Sequence, residues 1–320
     1  MTVSRTGLQI PSFTFPDTPD DRLFERIAAS AVAAEESGFD SVWVMDHLHQ
    51  ISVVGPETDP MLEGYTLLAG LAARTRRVGL GTMVTGVTYR NPALLAKVVT
   101  TLDVISAGRA ILGLGAAWNE DEHAAYGYDF PPVAERFERL EDALRICRAM
   151  FSADPAPTYS GRRHSVAGAI NNPKPIRGRI PILIGGSGER RTLRLVAEYA
   201  DACNLFGDLD TIRHKLDVLE RHCADTGRDP AEITKTKLAS LIVGRTTEEA
   251  RAAAEQASRS RGEFSAAFLA SAIVGDADAI GEQVAAHRAA GLDGLIVNLP
   301  LFADPDQVPQ AGEALAKAFA

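Results

Sequence analysis

Several things are scarce in this chain, and each scarcity excludes something. Only three cysteines occur in 320 residues, Cys147, Cys203 and Cys223. An odd number without metal-like spacing excludes a disulfide framework and fits buried, idle thiols in a reducing cytoplasm. Positive charge is not in excess: the formal net charge is −9. That excludes a nucleic-acid binder working through a basic face. No apolar run is long enough to span a bilayer, so no membrane partner is expected. Residues 1–16 show no basic start followed by an apolar stretch, so no signal peptide is expected. No repeat with a period of roughly 20–50 residues is visible, which excludes a solenoid.

What the chain does have is a regular alternation of short apolar runs and longer amphipathic segments. Strands are expected at residues 6–10, 41–45, 78–84, 110–115, 180–184, 202–206, 236–243 and 294–299. Helices are expected at 21–37, 64–74, 92–106, 136–151, 189–199, 209–226, 247–259, 278–290 and 309–319. In the first helix Leu23, Ile27, Ala31 and Ala34 recur at helical spacing, and Gly38 stands where a C-cap belongs. Asn91 and Pro92 form an N-cap followed by a first helical position. Residues 264–271 give no clear reading. Residues 152–179, rich in Pro, Gly and Arg, read as an insertion with room for a short hairpin at 158–160 and 163–165. Its length favours a lid or wall near a site over a plain link. Strand–helix alternation requires crossovers and hence a parallel sheet. Eight such units in one chain of this length point to a single-domain α/β fold, a (β/α)8 TIM barrel. An open doubly wound sheet is the alternative.

In such a barrel the site lies at the C-terminal ends of the strands. Strand two is followed by Asp46 and His47, then His49. A carboxylate beside an imidazole handles protons or binds a polar ring. The plainer reading is a loop-capping Asp and a surface His. His47 and His49 lie close, but no further ligand set accompanies them, so no metal is expected. Strand three ends in Gly81, Thr82, Met83, Val84, Thr85 and Gly86, small enough for a planar ligand to approach the backbone. Strand four ends in Gly113, Leu114, Gly115, Ala116, Ala117, Trp118 and Asn119. This run lacks the third glycine and the later acid of a dinucleotide fingerprint. Trp118 and Asn119 are candidates for a substrate pocket, with a packing role open for the Trp. Glu120 and Glu122 lie beyond Trp118 and are not candidates. Strand five ends in Gly185, Gly186, Ser187 and Gly188, with a helix expected to open at Glu189. Bare N–H groups at a helix start bind anions, and glycines let a phosphate come close. Ser187 adds a hydroxyl or serves as an N-cap.

Taken together, these runs resemble the luciferase-like monooxygenase superfamily, and within it the branch that uses the deazaflavin F420. The carriers are Ser41 to His47, Gly81-Thr82 through Arg90-Asn91-Pro92-Ala93, Thr101 to Arg109, Gly113 to Trp118 and Pro181 to Gly188. The resemblance covers nearly the whole chain. It implies a bacterial-luciferase-like barrel with an insertion after helix four, and a homodimer. It implies a cofactor at the barrel mouth, its phosphate near Gly185, Gly186, Ser187 and Gly188, and its ring near Asp46, Met83, Val84, Thr85, Gly115 and Ala116. It also implies a non-prolyl cis peptide at Met83–Val84, bulging toward the ring, and a substrate-side His47 that handles the proton. In sugar-phosphate dehydrogenases of this branch a catalytic Glu stands where this chain has Ala116, which argues against that activity. The function implied is hydride transfer between F420 and a small organic substrate. An FMN-dependent monooxygenase and a non-catalytic F420- or flavin-binding protein are the alternatives. The substrate wall is expected from residues 152–179, 118–128 and 264–273.

Overall fold

The computed structural model describes residues 5–259, 261–262, 265–300 and 307–319. Eight strands close on themselves: Thr6–Ile10, Ser41–Val44, Gly79–Thr82, Ala110–Gly115, Ile182–Gly185, Ala202–Leu205, Thr234–Val243 and Gly294–Asn298. Each pairs in parallel with its sequence neighbour, and Thr6 beside Leu295 joins the first strand to the eighth. An open sheet has no such closing pair, so the doubly wound alternative falls.

The barrel is filled, and the sequence shows how. Trp43, Ile111, Leu183, Ala202 and Ile296 point inward from five strands and meet Met83 in one buried cluster. Trp43 is fully buried, and its Nε1 donates to Ser41 Oγ at 2.7 Å. Its ring lies across Gly81, its register partner; a Cβ there would stand 2.8 Å from Trp43 Cζ3. One large side chain thus packs where its neighbour has none. A second, larger cluster joins the outer strand faces to the helices. No helix among the described residues is long and apolar enough to cross a membrane. All three cysteines are buried thiols.

Four features depart from the sequence reading. The helix after strand five begins at Thr192, not at 189. Glu189 is held elsewhere, by Lys215 Nζ at 2.6 Å and, through its carbonyl, by His222 Nε2 at 2.8 Å. A short helix, Glu120–Tyr126, was not expected. The unread stretch forms a helix, Ser265–Ser271, and a strand, Ile273–Gly275, that pairs with strand seven; Phe264 lies outside the described residues. The fourth concerns residues 152–179. They carry a hairpin of Tyr159–Ser160 and Ser165–Val166, yet they lie against the outer helices. Asp142 accepts from the N–H groups of Arg162, Arg163 and His164, Asn171 donates to Thr100 Oγ1, and Asp103 accepts from Ile176 N. The buried carboxylates of those helices hold the segment away from the barrel mouth.

Candidate active site

A pocket of about 300 Å3 opens at the C-terminal ends of the strands. Asp46, His47, Met83, Val84, Thr85, Gly115, Ala116, Trp118, Gly185 and Gly186 line it, as do Tyr89, Asn204, Phe206 and Leu238. The remaining expected residues do not. Ser187 accepts from Phe206 N at 3.1 Å, and Gly188 is exposed. Asn119 is the N-cap of Glu120–Tyr126, its Oδ1 accepting from Glu122 N, so the expected pocket role gives way to a capping one. No residue of 152–179 or 265–273 lines the pocket.

Strand three makes the wall. It stops at Thr82, the Met83–Val84 peptide is cis, and Thr85–Gly86 pairs anew with strand four. Past the break Met83 joins the barrel cluster, Val84 packs against it, and both line the pocket. Val84 is seated by two glycines. A Cβ on Gly115 would stand 2.7 Å from Val84 Cγ2, and one on Gly185 would stand 2.8 Å from Cγ1.

Asp46 is buried under Arg90. The guanidinium places Nη1 2.7 Å from Oδ2 and Nη2 2.9 Å from Oδ1, and Gly86 N donates to Oδ2 at 3.1 Å. Nη2 also reaches Glu63 Oε1 at 2.6 Å. Burial pushes the Asp46 carboxyl above its usual range, and the Arg90 charge works against that push. Asp46 is therefore a wall fixed by an ion pair, with its charge answered from within the protein.

His47 is a different case. Its Nδ1 lies 2.9 Å from Glu122 Oε2. Tyr89 donates to the same oxygen, and Leu48 N and His49 N donate to Oε1. Burial works to raise the Glu122 pKa, but these donors outweigh it and hold the carboxyl down to about 2. An ionised carboxylate only accepts, so the imidazole proton sits on Nδ1 and Nε2 is left for the pocket. Trp118 stands edge-on to His47, ring centroids 5.6 Å apart. His49 turns away, its Nδ1 paired with the Gln50 carbonyl at 3.0 Å, so the two histidines do not converge.

Glu122 is the residue that sequence reasoning passed over. The signal was present: Asn119 followed by Glu120, Asp121 and Glu122 is an N-cap with an acidic first turn. That short helix carries Glu122 back beneath the loop after strand two.

Comparison with known proteins agrees with this architecture. Residues 5–294 match the family model described as luciferase-like monooxygenase. The chain belongs to that family. A phthiodiolone/phenolphthiodiolone dimycocerosates ketoreductase of Mycobacterium sp. (strain JLS) is 32% identical over 245 residues, 69% of this chain and 62% of the relative. An F420-dependent glucose-6-phosphate dehydrogenase of Microbacterium testaceum is 37% identical over 171 residues, 53% of this chain and 49% of the relative. This chain thus spans roughly half to three-fifths of those relatives' length. Two solved structures share the fold. An F420-dependent secondary alcohol dehydrogenase superposes with TM-score 0.81 at 19% identity over 100% of both chains. A monooxygenase from Streptomyces bottropensis superposes with TM-score 0.82 at 21% identity over 99% of this chain and 100% of that one.

The pocket's own features fit a flat ring cofactor. Val84 projects from one wall, Gly115 and Gly185 carry no side chain beside it, and Asn204 brings a buried polar group to the floor.

Proposed function

We propose that this protein is an oxidoreductase that uses F420 to transfer hydride to or from a small organic substrate. The observation that carries the reading is the junction of two walls in one pocket: the Val84 wall, backed by Gly115 and Gly185, and His47, backed by Glu122. The Microbacterium relative's name, F420-dependent, supports the cofactor, and the mycobacterial relative's name, ketoreductase, supports the reaction type.

F420, when bound, supplies a hydride from its ring carbon and needs little from the protein beyond positioning and one proton. Val84, Gly115 and Gly185 would hold the ring in the pocket, and the phosphate would extend past Gly186 to Ser187 and Gly188 outside it. Asp46 stays fixed under Arg90 and shapes the ring pocket. His47 Nε2 gives or takes the substrate proton while Glu122 keeps Nδ1 protonated and the ring turned toward the pocket. Trp118, Tyr89 and Phe206 form an aromatic rim that excludes water from the bound pair. Ala116 contributes a methyl group where a sugar-phosphate dehydrogenase would need an acid. Among the described lining residues there is no Lys or Arg. A neutral carbonyl, imine or alcohol suits this pocket better than a phosphorylated sugar.

The test is a titration of the purified protein with F420 and with FMN, following quenching of the fluorescence of Trp43 and Trp118. F420 binding is expected. FMN binding without F420 binding would replace this reading with the flavin monooxygenase one.

A further inference from the structure

Asn204 stands near the end of strand six, with no exposed surface. It is aligned with Gly185 on one side and Thr236 on the other, and it lines the pocket beside Gly185 and Leu238. Its Oδ1 is buried and has no hydrogen-bond partner. Buried polar atoms are nearly always paired, so an orphan in a pocket wall calls for a partner from outside.

The hydrogen-bond chain around it fixes which end of the amide is which. Thr236 Oγ1 donates its one hydrogen to the Cys203 carbonyl at 2.8 Å. It therefore only accepts from Asn204, whose Nδ2 lies 2.9 Å away. The flipped amide would set two acceptors against each other. The carbonyl end is thereby the unpaired one, and the amine end is already engaged. Strand pairing fixes the backbone as well: Gly186 N donates to the Asn204 carbonyl at 3.2 Å. A preset acceptor with no donor beside it calls for a ligand group that donates.

On the reading above, the ring cofactor occupies this pocket. We propose that Asn204 Oδ1 accepts a hydrogen bond from the imide N–H of that ring. An imide nitrogen flanked by two carbonyls has a hydrogen to give and no lone pair to offer. Deazaflavins and flavins both carry this group, so Asn204 would read the ring type common to them, while Val84 and its glycines read its flatness.

The experiment compares wild-type protein with Asn204→Leu, which keeps volume and removes the acceptor. Dissociation constants for F420 are measured by fluorescence, alongside the melting temperature of each protein without cofactor. The proposal expects affinity for F420 to fall about tenfold or more in N204L while the melting temperature holds. A ligand-side arm needs no variant: F420 methylated at the imide nitrogen should bind wild type about tenfold more weakly than F420, and should bind N204L no more weakly than F420 does. If N204L binds F420 within about twofold of wild type, a water satisfies Oδ1 and the proposal is overturned. It is equally overturned if methylation weakens both proteins alike. If wild type takes FMN and refuses F420, the F420 reading falls, and the same comparison with FMN and 3-methyl-FMN decides the Asn204 assignment by the same thresholds. If neither ring binds, both fall.

Discussion

Glu122 Oε2 lies 2.9 Å from His47 Nδ1, across 75 residues of sequence. The carboxylate has no exposed surface and draws in four donors, from His47, Leu48, His49 and Tyr89. It fixes both the tautomer and the orientation of a histidine that stands at the pocket wall. A carboxylate outside the pocket lining thus governs a histidine that belongs to it.

Replacing that carboxylate should show in turnover. With Glu122→Gln, the amide no longer demands a proton on Nδ1, and the imidazole loses its fixed tautomer. The kcat is expected to fall about 10- to 100-fold, with the dissociation constant for F420 nearly unchanged. Steady-state kinetics beside cofactor titration checks this split. A collapse of cofactor affinity with intact kcat would put Glu122 in binding.

The same residue predicts an acid limb of stability. Its folded pKa of about 2 lies below the ordinary value of 4.5. The unfolded chain therefore takes up the proton first as pH falls. The stabilisation is full above pH 4.5 and is lost progressively as pH drops toward about 2. Urea denaturation across this window should show a steeper loss for wild type than for Glu122→Gln.

Arg90 answers a buried charge, so removing it should cost more than removing the pair. Arg90→Met leaves Asp46 unpaired and is expected to destabilise the fold by about 3–5 kcal/mol. The double variant Asp46→Asn with Arg90→Met should recover a large part of that loss. Burial already raises the Asp46 pKa, so the single variant's deficit should narrow at lower pH, where Asp46 becomes neutral. Chemical denaturation of all three proteins at pH 7 and pH 5 checks both statements.

Two glycines on strand four separate folding from binding. A Cβ on Gly113 would stand 1.9 Å from the Thr82 carbonyl oxygen, which is backbone and cannot step aside. Gly113→Ala is expected to destabilise by about 3 kcal/mol or more. A Cβ on Gly115 crowds the Val84 side chain at 2.7 Å and meets backbone only at 3.7 Å, the Gly185 carbonyl oxygen. Gly115→Ala should keep most of its stability and lose about tenfold in F420 affinity, because Val84 is pushed into the pocket. Melting curves and cofactor titration distinguish the two.

The barrel was legible because its strands are short apolar runs bounded by glycines and separated by helices of clear period. Leu209–Thr226 and Thr247–Arg259 match the expected bounds at both ends. The strand ends then brought most of the pocket to one place. What escaped notice was set by long-range contacts. Glu120–Tyr126 has seven residues, too few to display a period, and its caps were the only sign of it. Glu189 looked like a helix start until Lys215 and His222 claimed it. Residues 152–179 looked like a pocket wall because nothing local reveals that Asp142 and Asp103 hold them outside. Asn204 was visible as a lone polar residue in the apolar run at 202–206, but its orientation depends on Thr236 in the next strand.

The function proposed for this pocket is hydride transfer with His47 handling the proton. Its most direct test is single-turnover oxidation of protein-bound reduced F420, without oxygen, by a panel of enones, imines and aldehydes. At least one acceptor is expected to oxidise the bound cofactor far faster than it oxidises reduced F420 free in solution, and His47→Ala should lose that acceleration while still binding F420. No acceleration by any acceptor would contradict the account and leave a protein that holds its cofactor without using it.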